Sequence, residues 1–429
     1  MTKRNIVCLF LTLSTTCLFS QGYYKDIFMD GGIKLTSRED LPAARRLDLS
    51  IEHFVSGKDT DDSPLTLQDT IMQQLIFCGS EIDLNGILLY PDGQPRFRMI
   101  YVNGGKATRH GISLTEKGRS NIYTFVKKGG SYLGTCAGMF LASCGTTTDS
   151  IIPKPAYLGI WPGIAHSTRL SKTPTGHFIE PGSPILKYCD FGEDMHIDSV
   201  YHNGGGFAYE PAQLPAGTEI LTRYDYEPFT KDSLSIHRKI SGWAWKENYS
   251  TGRVILTGSH PESYTGGERL DLMSALIKYA LEGNGDPVIK GEIRNGEIRH
   301  MNKSTHDSEP DFTKIGDLQY HHFTVNIPEN AINIKVELKS PSIYNLNLYI
   351  CKEGPAFKQS ADYMNISLGG NKQINLASLP EGKWYIAVEC ATTVDVKESE
   401  WGEVYTGNLS VLNGVPYSLV INWDKKGKL

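Results

Sequence analysis

Apolar and polar positions along this chain change period several times, and each change marks an element. Residues 97–102 form an apolar run that ends on Asn103-Gly104-Gly105, the pattern of a buried strand running into a turn. Ser113-Leu114-Thr115-Glu116 reads as a capping box. It opens a helix that turns Ile122, Phe125 and Val126 inward and stops at Gly129-Gly130. A second strand follows over 130–135, and a third over 253–257. Residues 268–281 then carry Leu270, Met273, Leu276, Ile277 and Ala280 at helical spacing, with Gly283 as the stop. A shorter helix is expected over 69–77 from Ile71, Met72, Leu75 and Ile76. Strands alternating with helices over short connections predict parallel strands covered by helices.

Two other textures interrupt this alternation. Residues 197–245 hold alternating segments, notably 219–226 and 234–245, that predict antiparallel strands forming an extension beside the main sheet and walling its site. Residues 284–316 are polar and weakly periodic and read as a linker. From 317 onward the helical period disappears. Short apolar runs at 320–325, 332–338, 346–351, 383–389 and 417–423, separated by Pro, Gly and Asn turns, predict a small β-sandwich.

The strand over 130–135 leads into Gly134-Thr135-Cys136-Ala137-Gly138. Small residues around one cysteine allow a tight strand-to-helix bend that holds the thiol at the strand end, as in a nucleophile elbow. The strand over 253–257 leads into Gly258-Ser259-His260-Pro261-Glu262, a base and a carboxylate two residues apart. Cys136, His260 and Glu262 are therefore the candidate triad of nucleophile, base and orienting acid. An imidazolium and a helix N-terminus beside the thiol would both favour the thiolate. For an arbitrary cysteine, a buried structural thiol would be the better reading; the bracketing glycines and the His-Pro-Glu segment weigh against it. The amides of Gly105 and Ala137 are candidates for an oxyanion hole, although the Gly-Gly turn needs glycine in any case. His202-Asn203-Gly204-Gly205-Gly206 reads equally well as a pocket wall, with His202 and Asn203 touching substrate, or as a hairpin turn. His110, His166, His177 and His196 show no metal-ligand spacing, so neither a metal nor a cofactor is expected.

These motifs together resemble the class I glutamine amidotransferase-like superfamily, in the branch similar to the N-terminal domain of biotin-protein ligases. The resemblance rests on Tyr132-Leu133-Gly134-Thr135-Cys136-Ala137-Gly138, Gly258-Ser259-His260-Pro261-Glu262, Tyr101-Val102-Asn103-Gly104-Gly105 and His202-Asn203-Gly204-Gly205-Gly206, and spans about 30–283. It implies a three-layer α/β flavodoxin-like domain. Glutamine amidotransferases place Gln two positions after the second elbow glycine; this chain has Phe140, which argues against glutamine as substrate. No synthetase partner domain and no biotin-ligase catalytic domain is recognisable. The C-terminal region resembles the bacterial pre-peptidase C-terminal domain through Phe323-Thr324-Val325, Leu346-Asn347-Leu348-Tyr349 and Pro380-Glu381-Gly382-Lys383-Trp384-Tyr385-Ile386.

The N-terminus carries Lys3-Arg4, an apolar stretch over 6–13 and Ser20 before a cleavage point, the pattern of a secretion signal. The stretch is too short and interrupted to span a bilayer, and Thr16 fits poorly before a lipoprotein cysteine at Cys17. A secreted or periplasmic protein is expected. The expected organisation is a signal over 1–20, the α/β domain over 21–283, a linker over 284–316 and the sandwich over 317–429. Export permits disulfides. Cys351 and Cys390 could pair or remain two buried thiols, whereas Cys136 and Cys144 are unlikely partners across a helix. A net charge of −5 and no long basic run give no footing for nucleic acid.

The leading expectation is an exported cysteine hydrolase that opens an amide, of peptide or cell-wall type, through a thioester. The alternative is a binding protein that keeps the fold without the reaction, with a glycan or protein held on the sandwich. In a third reading the sandwich serves only secretion or stability.

Overall fold

The structure, a computed structural model, describes residues 25–30, 41–54, 84–147, 151–210, 212–227, 235–399 and 402–426. The expected signal over 1–20 and the helix over 69–77 lie outside the described residues.

The largest sheet has nine strands. Its first five, in spatial order Ile51–Phe54, Lys25–Asp30, Phe97–Val102, Ser131–Thr135 and Val254–Thr257, are parallel. Alternate residues on these strands serve opposite faces, as the pleat requires. Ile27, Met29, Met99, Tyr101, Leu133 and Ile255 face helix Gly267–Glu282, whose stripe of Leu270, Met273, Leu276, Ile277 and Ala280 is buried as expected. Ile100, Val102, Tyr132, Val254 and Leu256 face the other way and share a cluster with Ile122, Phe125 and Val126 of helix Thr115–Lys127. Each such side chain taken out of water contributes roughly 1.5–3 kcal/mol. The result is helix, sheet and helix in three layers.

The strands Ile240–Trp245, Glu219–Asp225, Thr173–Ile179 and His196–His202 extend the main sheet as expected, continuing it antiparallel from Val254–Thr257. The sheet is therefore mixed. Parallel pairing needs a crossover, usually helical, and no α-helix is described between 143 and 253. The capping box does not form. Ser113 closes the preceding helix Ala107–Ser113, its hydroxyl donating to the His110 carbonyl at 3.0 Å, and helix Thr115–Lys127 starts without a side-chain cap.

A further correction concerns 284–316, expected as a linker. It carries strands Ile289–Glu292 and Ile298–Met301, each at the edge of a C-terminal sheet. Those sheets have five and four strands. They send Phe323, Val325, Ile334, Val336, Leu348, Ile386, Val388, Leu419 and Ile421 into one apolar cluster. Cys351 and Cys390 are free and buried. They lie at opposite ends of one strand pair, since Cys390 faces Leu346 and Cys351 faces Tyr385. Five residues of strand separate them, about 17 Å at ~3.4 Å per residue, far beyond disulfide reach.

Buried polar contacts tie these sheets to the rest of the chain. The Arg96 guanidinium pairs with Asp317 with both side chains fully buried, and also donates to the Leu89 carbonyl at 3.0 Å and the Leu412 carbonyl at 2.7 Å. Lys290 pairs with Asp92 at 2.7 Å. Among the described residues no helix is long and apolar enough to cross a membrane.

Candidate functional site

Strands Ser131–Thr135 and Val254–Thr257 are neighbours, with Thr135 opposite Thr257, so their following residues emerge together. Cys136 stands at the end of the first with φ 50°, ψ −105°, and its amide donates to the Thr257 carbonyl at 2.9 Å. A positive φ is costly for a residue with a Cβ, and such strain collects at functional turns. The six-residue helix Ala137–Ala142 follows at once. Gly138 allows this bend, because a Cβ there would come within 2.1 Å of the Val102 carbonyl oxygen.

After Val254–Thr257 the chain reaches His260, whose amide donates to the Tyr201 carbonyl at 2.7 Å. The chain then forms a 3-10 turn, Pro261–Ser263, which directs Glu262 back to the imidazole. His260 Nδ1 lies 2.7 Å from Glu262 Oε1. The Glu262 oxygen also accepts from the Thr135 hydroxyl at 3.2 Å, which in turn lies 3.1 Å from the Tyr101 hydroxyl. Glu262 is buried, and the His260 ring packs against the Cα of Gly104, where a Cβ would meet Cε1 at 2.6 Å.

The electrostatics follow from this packing. Burial by itself would lower the His260 pKa. The Glu262 carboxylate and the hydrogen bond to Cys136 outweigh it and push the imidazole up to about 11. His260 is then an imidazolium at neutral pH, with Nδ1 committed to Glu262 and Nε2 left for the thiol. The thiol has a second neighbour, for Cys136 Sγ lies 3.5 Å from the Asn203 carbonyl oxygen. A protonated thiol would point its hydrogen at that carbonyl, whereas the imidazolium of His260 faces the sulfur as a cation.

A pKa raised on folding stabilises the folded state fully below the unfolded value, near 6.5 for histidine, and the gain is lost as pH climbs to the folded value. Glu262→Gln removes the main cause. The stability gap between wild type and E262Q is therefore expected to be widest near pH ~6 and to close as pH rises toward 11, as read from urea melts across pH. A gap that widens with rising pH would contradict the pairing.

The structure brings Cys136, His260 and Glu262 together. Gly105 sits at φ 142° on the turn before helix Ala107–Ser113, and among the described residues neither its amide nor that of Ala137 donates to a backbone acceptor. The substrate contact expected of His202 is not available. Its ring is fully buried and bonded to Thr168 and Ser259. Asn203 meets the site by its backbone, while its side-chain oxygen accepts from the Ser171 hydroxyl at 3.1 Å and the Lys172 amide at 3.2 Å. Thr135 and Tyr101 escaped the sequence reading, although a hydroxyl directly before the elbow cysteine was a usable signal.

Comparison with known proteins finds likenesses for parts of the chain. Residues 88–166 match the family model described as biotin-protein ligase, N terminal. A biotin–protein ligase of Schizosaccharomyces pombe is 26% identical over 199 residues, which is 42% of this chain and only 29% of that protein. Among solved structures, a glutamine amidotransferase covers 59% of this chain and 98% of its own at 15% identity and a TM-score of 0.34. The pre-peptidase C-terminal domain of a Bacillus anthracis collagenase covers 32% of this chain at 13% identity and a TM-score of 0.20. Over residues 88–166 the chain is similar to the N-terminal part of biotin-protein ligases, and it spans less than a third of the length of the curated relative it matches.

Proposed function

We propose that this protein is a cysteine-dependent hydrolase that opens an amide bond through a thioester. The observation that carries the reading is the His260 Nδ1 to Glu262 Oε1 contact of 2.7 Å beside the Cys136 elbow. In the proposed reaction the thiol proton already rests on His260 as part of the imidazolium, and the Cys136 thiolate attacks the carbonyl carbon. The tetrahedral oxyanion is met by the Gly105 and Ala137 amides. His260 returns the proton to the leaving amine, a thioester remains on Cys136, and water hydrolyses it with His260 as base. Glu262 keeps the imidazole oriented and stabilises its cation.

Neither glutamine nor biotin is proposed as the substrate. Phe140 stands where glutamine amidotransferases have Gln, and the matched ligase shares less than a third of its length. Peptide and cell-wall amides remain the proposed substrates, and an exported site of action the proposed setting. One observation favours the alternative of a binding protein: the thiol is nearly buried and rests against the Asn203 carbonyl.

Reaction of the whole protein with iodoacetamide separates the two. Peptide mapping is expected to find Cys136 labelled ahead of the half-buried Cys189 and the exposed Cys144 at neutral pH, despite its burial. Labelling in order of exposure, with Cys144 first, would support the binding protein.

A further inference from the structure

Behind the site, a chain of hydroxyls and imidazoles crosses the antiparallel half of the sheet. None of its side chains reaches the surface. Its direction can be worked out from one end, because a carbonyl oxygen only accepts. The Thr168 hydroxyl donates to the Gly205 carbonyl at 2.8 Å, so its proton is spent. His202 Nε2, 2.6 Å from the same hydroxyl, must then be the donor.

A neutral imidazole has one N–H, and burial, with the charge of His260 beside it, lowers the His202 pKa to about 3. Its Nδ1 is therefore bare and accepts from the Ser259 hydroxyl at 3.2 Å. The other hydroxyl nearby, on Tyr224, spends its proton on the Gly206 carbonyl at 2.9 Å. With the Ser259 proton committed, His177 Nε2, 3.0 Å away, must donate to Ser259. Burial and the neighbouring His202 and His196 also keep His177 neutral, with a pKa near 3. Its Nδ1 accepts from Ser241 at 2.9 Å, and Ser241 accepts from Thr222 at 2.8 Å. Thr175, 3.3 Å from both His177 Nε2 and Ser259, donates its own proton to the Val200 carbonyl at 3.3 Å and so only accepts here. The protons then run from Thr222 through Ser241, His177, Ser259, His202 and Thr168 to the Gly205 carbonyl.

The two ends of interest flank the site. Ser259 immediately precedes His260, and Gly205 lies two residues after Asn203, whose carbonyl touches the Cys136 thiol. We infer that this directed chain is the positioning device of the site, with Ser259 and His202 acting through His260 and the Asn203 carbonyl rather than on substrate. The inference rests on the reading of Cys136 as a nucleophile. It has a structural consequence of its own: His177 and His202 both carry their proton on Nε2. Replacing Ser259 removes the one group that accepts from one ring while donating to the other, and leaves His177 Nε2 with only Thr175 at 3.3 Å and His202 Nδ1 with only Tyr224 at 3.4 Å.

The test compares wild type, Ser259→Ala and Ser259→Thr as full chains. Two readouts are taken: the pH profile of Cys136 alkylation, and the ring nitrogen shifts of His177 and His202. The groups that face the reacting pair in this profile are Glu262, His202 and Tyr224. S259A is expected to slow alkylation about fivefold at neutral pH and move its profile to higher pH, while S259T, which keeps the hydroxyl, stays close to wild type. Both rings are expected to show the neutral Nε2–H form through pH ~5. The inference is overturned if the S259A profile superimposes on wild type, if S259T is as slow as S259A, or if either ring carries its proton on Nδ1. Should S259A not fold, the ring shifts of the unmutated protein still decide. His260→Ala is the control: unchanged alkylation in that variant defeats the nucleophile reading itself, separately from the chain behind it.

Discussion

His260→Ala is expected to slow alkylation of Cys136 about tenfold near pH 7 while leaving the rates at Cys144 and Cys189 unchanged. The imidazole is held as a cation by Glu262 and sits against the thiol, and a cation beside a sulfur promotes its attack on an electrophile. Removing the ring removes that charge and leaves the Asn203 carbonyl, which holds the thiol in its protonated form. The gain is partly offset because a more stable thiolate is a weaker nucleophile, which is why the expected factor is only about ten. Mass-spectrometric mapping of alkylated peptides over time gives all three rates in one experiment. A rate at Cys136 that does not depend on His260 would mean that the contact has no chemical consequence.

The largest expected loss of stability lies elsewhere, at Arg96→Ala. Arg96 and Asp317 are both fully buried, and the guanidinium also satisfies the carbonyls of Leu89 and Leu412. Taking away one partner leaves a carboxylate and two carbonyls unpaired in the interior, at a cost of about 3–5 kcal/mol. Against a typical total of about 5–15 kcal/mol, that is a large share. Burial already pushes the Asp317 carboxyl upward, and Arg96 is what pulls it back. Without Arg96 the folded state retains Asp317 more readily as the neutral acid, so the loss should shrink as the pH is lowered. Urea melts at neutral and mildly acidic pH check both the size and the sign. A loss under ~1 kcal/mol, or one that grows on acidification, would show that the pair does not hold the C-terminal sheets to the rest of the chain.

How much of this was readable in the sequence depends on how local each feature is. The elbow and the His-Pro-Glu segment are short motifs at the ends of apolar strands, and the adjacency of Ser131–Thr135 and Val254–Thr257 brings them together. The stripe from Leu270 to Ala280 was equally plain, because a buried helix displays its period. The alternation over 219–226 and 234–245 announces the antiparallel extension of the main sheet, but a period of two says nothing of the order in which its strands lie. The stretch over 284–316 looked like a linker because its two strands are edge strands that bury only a few residues, Lys290, Ile293 and Met301 among them. His202 was misplaced for a related reason. In sequence, a histidine before three glycines looks exposed and ready for a ligand, and only the fold shows Thr168, Ser259 and Tyr224 closing around it.

The central claim is that Cys136 takes an acyl group and His260 helps water remove it. Intact-protein mass spectrometry after mixing with a small activated aryl ester tests it most directly. The thiolate displaces the aryl oxide, a thioester forms, and hydrolysis returns the free enzyme with release of the acid. Wild type should show a single acyl adduct that maps to Cys136 and decays, H260A an adduct at the same place that forms slowly and persists, and Cys136→Ser no decaying adduct at all. An adduct spread over Cys144 and Cys189, or one at Cys136 that wild type and H260A release at the same rate, would contradict it.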